Sequence, residues 1–162
     1  MKIIFLDVDG VLNSTRTAAA FGGFPMELHH AEAFDWVAIK LLQRLCDSSG
    51  TQIVLSSTWR RYFSVKEMAD LFKLPIIDQT PVLDTKRGIE IDEWLKLHPE
   101  VKEYVILDDD DDMMPHQKPN FVRTNPEEGL SWANYVRVCD ILKADKYEGE
   151  ARDREWRNKK TT

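Results

Sequence analysis

The chain has 162 residues, 43% hydrophobic and 31% charged, which is the composition of a folded globular domain and excludes a disordered or fibrous chain. No apolar run approaches the ~20 residues that span a bilayer, and acids interrupt the short apolar start MKIIFLDVDG, so the expectation is a cytoplasmic protein with no membrane partner. Net charge is −6, from 28 acids and 22 bases, but the acids include the run DDDDD at 108–112, so the acidity is local.

Residues 2–8, KIIFLDV, form a nearly continuous apolar run ended by Asp-Gly and predict a buried central strand. The stretch 13–30, with Gly22, Gly23, Pro25 and an exposed Phe21 and Phe24, reads as an irregular, mobile flap. Residues 35–47 place Trp36, Ile39, Leu42 and Leu45 at helical spacing. A second strand follows at 52–56, QIVLS, and a helix at 64–72 on Val65, Met68, Leu71 and Phe72. A weaker strand falls at 76–78. A helix at 89–97 carries Ile89, Ile91, Trp94, Leu95 and Leu97. Strands at 104–107, YVIL, and 121–124, FVRT, precede a last helix at 131–143 on Trp132, Tyr135, Val136, Cys139 and Leu142. Trp36, Trp94 and Trp132 are expected in the core. Cys46 and Cys139 read as buried thiols, neither with zinc-site spacing.

Strands alternating with helices give an α/β fold with a central parallel sheet covered on both faces. Ligands then bind where the strands end. The first strand ends in Asp7-Val8-Asp9-Gly10, the second in Ser56-Ser57-Thr58, and a later one in Asp108-Asp109-Asp110. Lys86-Arg87 opens a helix between the last two. Carboxylates brought together repel, and a divalent cation with a preference for hard oxygen ligands, such as Mg2+, relieves the repulsion. A hydroxyl and a cation beside it make a place for a phosphoryl group. An Asp can attack that group, and a second Asp two residues on can protonate the leaving oxygen.

FLDVDGVLN resembles the first motif, DxDx[TV], of haloacid dehalogenase-like (HAD) phosphatases. IVLSS, Lys86 before a helix, and VILDD resemble the second, third and fourth motifs, in the right order over about residues 2–143. The resemblance implies a three-layer Rossmann-like fold. It implies Asp7 as nucleophile and Mg2+ ligand, and Asp9 as general acid and base that also offers the metal its carbonyl. Ser56 would bind a phosphoryl oxygen, Lys86 would neutralise charge, and Asp108 and Asp109 would ligate the metal. Arg87 competes with Lys86 for the third motif, and Asp112 with Asp109 for the fourth. Gly10, Ser57, Arg60 and Arg87 are candidate substrate contacts. More finely, LSSTWR, KRGIEIDEWL, VILDDDDDM and a late GLSW are similar to HAD domains grouped with Swiss Army Knife RNA-repair proteins, which are thought to process nucleic-acid ends.

The gaps after the first and second strands are too short for a folded cap, so a capless domain is expected over 1–143, with 144–162 a charged terminal helix or tail. An open site of this kind admits a nucleotide or a DNA or RNA end, whose phosphate Arg60 and Arg61 suit. Trp59 reads either as packing or as a base-stacking platform. His29 and His30 have no evident partner. The expected activity is Mg2+-dependent phosphomonoester hydrolysis through an aspartyl-phosphate. The rivals are a small-metabolite phosphatase and a non-catalytic module that binds phosphate or Mg2+.

Overall fold

A computed structural model describes residues 1–147 of the chain. Its regular elements are β1 (Lys2–Leu6), α1 (Thr15–Phe21), α2 (Trp36–Ser49), β2 (Gln52–Leu55), α3 (Val65–Phe72), β3 (Ile76–Gln79), α4 (Arg87–Lys96), β4 (Glu103–Asp108), β5 (Phe121–Arg123) and α5 (Trp132–Leu142). All strand pairs are parallel, in the order β3-β2-β1-β4-β5. The chain therefore leaves β1 toward one side of the sheet and returns to its other side through β4. Doubly wound sheets bind ligands at such a reversal point.

The strands are apolar on both faces because both are covered. Ile4, Leu6, Ile53, Leu55, Val105 and Leu107 pack on the side of α2, α3 and α5. Ile3, Phe5, Val54 and Ile106 alternate to the opposite side and meet Ile91 and Trp94 of α4. This is a three-layer α/β fold of the Rossmann-like type. Among the described residues no helix is long and apolar enough to cross a membrane.

Two expectations require correction. The stretch 13–30 is irregular only in part: residues 22–27 lie outside regular structure, but Thr15–Phe21 form α1, whose ends are fixed by local hydrogen bonds. The Ser14 hydroxyl accepts from Thr17 N–H at 3.2 Å, and Thr17 Oγ1 accepts from Ser14 N–H at 2.9 Å, a reciprocal cap that satisfies the helix start. The N–H groups of Thr15 and Arg16 donate to the carbonyls of Pro126 and Glu127, so tertiary contacts hold a helix too short to persist alone. Phe21 and Phe24 are exposed, as expected. The second correction is Trp132, which is 52% exposed. It opens α5, whose buried face runs through Tyr135, Val138, Cys139 and Leu142, and its ring lies against Tyr135 instead of in the core. Trp94 is buried and Trp36 is half-buried. The tail expected over 144–162 falls, from residue 148 on, outside the described residues.

Candidate active site

Register places the first polar residues. Leu6 pairs with Leu55 on one side and with Leu107 on the other, so Asp7, Ser56 and Asp108 emerge side by side at the carboxyl edge. Asp7, Asp108 and Asp109 each offer a carboxylate oxygen, and these atoms lie within 4.8 Å of one another. Asp7 and Asp108 are buried and Asp109 is half-buried.

The Asp-Gly turn after β1 fixes the third member of this group. Gly10 has φ +76°, and a Cβ there would stand 2.5 Å from Asp109 Cγ. Only glycine lets the turn approach the Asp109 side chain this closely. Thr124 Oγ1, just beyond β5, donates to the Gly10 carbonyl at 2.7 Å and ties the turn to the sheet.

Arg87 is the cation at the cluster. Its Nη1 lies 3.0 Å from Asp7 Oδ1 and 2.7 Å from Asp108 Oδ2. Lys86 is the exposed residue that precedes α4, and its side chain has no partner among the described residues. The acidic run divides similarly. Asp112 lies outside the cluster and anchors α4, its Oδ2 accepting from Arg87 N–H at 2.9 Å. Asp110 N–H donates to Asp108 Oδ1, and Asp111 pairs with Lys118.

Burial raises the pKa of the Asp7 carboxyl. Arg87, the Val8 N–H and the Ser57 hydroxyl oppose that rise, and Asp109 adds to it. Burial, then the neighbouring Asp7 charge, pushes Asp108 up to about 8. Burial works against the Arg87 charge, but Asp7 and Asp108 outweigh it and hold the guanidinium firmly protonated. Asp7, Asp108 and Asp109 thus gather hard oxygen donors that are costly to ionise together without a cation, a set that fits Mg2+.

The two serines after β2 separate. Ser57 acts on Asp7, whereas Ser56 Oγ is fully buried with no partner among the described residues. Arg60 is also turned inward. It donates to the carbonyls of Ser56, Ser57 and Thr80 and forms a 2.5 Å ion pair with buried Glu90, so it braces the loop that presents Ser57 and does not face open solvent. Arg61 pairs with exposed Asp84.

Asp9 stands apart from the cluster and is exposed. Its carboxylate accepts from Asn13 Nδ2 at 2.8 Å and from Trp59 Nε1 at 3.2 Å to each oxygen. Trp59 is thus buried packing and also a hydrogen-bond donor to Asp9. Beside Asp9 opens a cleft of about 500 Å3, lined by Met26, Glu27, Trp59, Tyr62 and Phe63. Sequence reasoning missed Met26, Glu27, Tyr62 and Phe63 as site residues. The available signal was the aromatic density of TWRRYF directly after a strand end. His30, within the stretch before α2, accepts from Met26 N–H at 3.0 Å through Nδ1 and so shapes the cleft rim.

The family described as the HAD domain in Swiss Army Knife RNA repair proteins matches residues 3–135. The chain belongs to that family. No curated protein and no solved structure matches it. In this HAD domain the segments after β1 and β2 are filled by α1, α2, α3 and short 3₁₀ turns.

Proposed function

We propose that this HAD domain is a Mg2+-dependent phosphomonoesterase that works through an aspartyl-phosphate on a nucleotide or on the phosphorylated end of a nucleic acid. The observation that carries the reading is the convergence of Asp7, Asp108, Asp109 and Arg87 at the sheet's reversal point, with Asp9 held separately beside an open cleft.

In the first half-reaction an Asp7 oxygen attacks phosphorus, the ester P–O bond breaks, and Asp9 gives its proton to the leaving oxygen. In the second, Asp9 takes a proton from water as that water's oxygen attacks phosphorus. The Asp7–phosphorus bond breaks, and inorganic phosphate and free Asp7 result. Arg87 holds Asp7 in place and stabilises charge on the phosphoryl oxygens, and the Ser57 hydroxyl orients the same carboxylate. Asn13 and Trp59 fix Asp9 on the leaving-group side. A Mg2+ held by Asp7, Asp108 and Asp109 would supply charge neutralisation between the nucleophile and the phosphoryl group. We also propose a reducing, cytoplasmic location, which the free buried thiols of Cys46 and Cys139 support.

The test is phosphate release from nucleoside monophosphates, 3′- and 5′-phosphorylated oligonucleotides and sugar phosphates, with Mg2+ or with EDTA. Release is expected from the nucleotide substrates, to stop with EDTA, and to fall at least about 10³-fold in Asp7→Asn, given what loss of a nucleophile costs comparable enzymes. Full activity in Asp7→Asn would overturn the reading.

A further inference from the structure

We propose that the cleft beside Asp9 is a nucleobase subsite, which makes the substrate an unpaired nucleotide whose base seats against the exposed Tyr62 ring, over a floor that buried Trp59 braces. The proposal rests on the phosphatase reading for its leaving group but concerns a different set of residues.

The cleft has one rigid wall. The Trp59 ring lies 5.3 Å from that of Phe63 and 5.6 Å from that of Phe34, which itself packs edge-on against Phe72 at 4.9 Å. These contacts tie the wall into the core. Tyr62, the residue before Phe63, is 78% exposed, and Met26 across the rim is 71% exposed. Large apolar groups left in water beside a catalytic acid have a reason to be there when a flat apolar ligand covers them.

Position says which part of the substrate arrives. Asp9 lines the cleft, and Asp9 is the group that hands a proton to the leaving oxygen. The cleft therefore receives the leaving group and not the phosphoryl group. Charge narrows the choice. Besides the proton-donating Asp9, Glu27 is the acidic group lining it among the described residues, and its charge repels further phosphates. A neutral base and sugar suit it, whereas a diphosphate chain does not. Glu27 adds an acceptor for the N–H edge of a base, a partner that the ring of a phosphotyrosine would leave unused. A base inside a duplex is stacked and paired, so only a single-stranded end or a free nucleotide can present its face to Tyr62.

Two measurements test this. The first compares kcat/KM for single-stranded oligonucleotides whose phosphorylated terminal nucleotide carries a base or is abasic, with nucleoside monophosphates, blunt duplexes and a phosphotyrosine peptide alongside. The base-bearing single strand is expected to exceed its abasic counterpart roughly 5- to 100-fold, the range of one base–aromatic stack, and Tyr62→Ala should narrow that ratio. A ratio near one, or a preference for the duplex or the peptide, overturns the proposal. Preference for mononucleotides over oligonucleotide ends would identify the free nucleotide as the source of the base. The second measurement is fluorescence anisotropy of the same labelled oligonucleotides with Asp7→Asn protein. Tighter binding of the base-bearing end is expected, and equal binding overturns the subsite whether or not turnover occurs. If the binding preference appears while no substrate is hydrolysed, the subsite stands and the phosphatase reading falls.

Discussion

Arg87 Nη1 lies within 3.0 Å of both Asp7 and Asp108, while Lys86, one residue earlier, ends in solvent. A single position decides which cation meets the phosphoryl group, and the cause is local. Residue 87 begins α4 and points across to the strand ends, whereas residue 86 has extended backbone before the helix and points away. Arg87→Ala should lower kcat/KM about 10²- to 10³-fold, the usual loss for one preorganised donor to the reacting group. Lys86→Ala should stay within about twofold, as for a surface change. Steady-state kinetics on the two variants, with circular dichroism to verify folding, decide the matter. A larger loss in Lys86→Ala would move the role back to the lysine. The choice was open in the sequence because Lys-Arg offers both side chains, and helix phase at a boundary is beyond the resolution of a hydrophobic pattern.

At the scale of elements, the start of α4 is held from three sides. Asp112 accepts its first N–H, and Gln117 Nε2 donates to the Gly88 carbonyl at 2.8 Å. A Cβ on Gly88 would stand 2.6 Å from Met114 N. Glu90, one turn on, accepts from Arg60 and from Leu83 N–H. The Arg60–Glu90 pair, 2% and 5% exposed at the side chains, thereby joins α4 to the loop after β2, the elements that carry Arg87 and Ser57. Glu90→Gln leaves a buried guanidinium without its counter-charge, which costs about 3–5 kcal/mol. At about 2–4 °C per kcal/mol for a chain of this size, the melting temperature should drop by roughly 6–20 °C. Thermal unfolding of the variant checks it, and a drop under about 2 °C would mean that the pair contributes little. The legible elements were those with a single strong cause. Both faces of β1, β2 and β4 are covered, so their sequences are plain apolar runs, and α2 and α5 bury one stripe each. The α1 helix was not legible, since its stability comes from the Ser14–Thr17 cap and from backbone bonds to residues 126 and 127. Arg60 was misleading for a similar reason: an arginine after a strand end looks like a phosphate contact, and only the distant Glu90 turns it inward. The acids at the cluster were readable because a strand end in a parallel sheet has one possible edge to face. The cleft was not, because Met26 and Tyr62 meet there across long loops.

For the whole molecule, the fold concentrates carboxylates where β1 and β4 adjoin, and the protein's stability should record it. Asp108 has a folded pKa of about 8, above the ordinary unfolded value of about 3.9. The folded state therefore holds a proton that the unfolded state has lost between those limits. Stability from this group is complete below pH 4 and disappears as pH rises through 8. Asp7, also raised, acts in the same direction. An Asp108→Asn variant lacks this titration. Measured in EDTA, its melting temperature minus that of the wild type should grow from about pH 4 and level off above about pH 8. A difference independent of pH would mean that Asp108 is ionised in the folded protein throughout. Added Mg2+ should act oppositely, raising the melting temperature of the wild type most at the alkaline end. There the carboxylates are already free to ligate, and binding to the folded state alone stabilises it by mass action. Asp108→Asn should gain little from Mg2+ at any pH. The same three acids would then destabilise the empty domain and bind its metal, and below pH 8 each metal bound would displace the Asp108 proton, so buffer-dependent calorimetry of Mg2+ binding should register proton release near pH 7 that fades by pH 9.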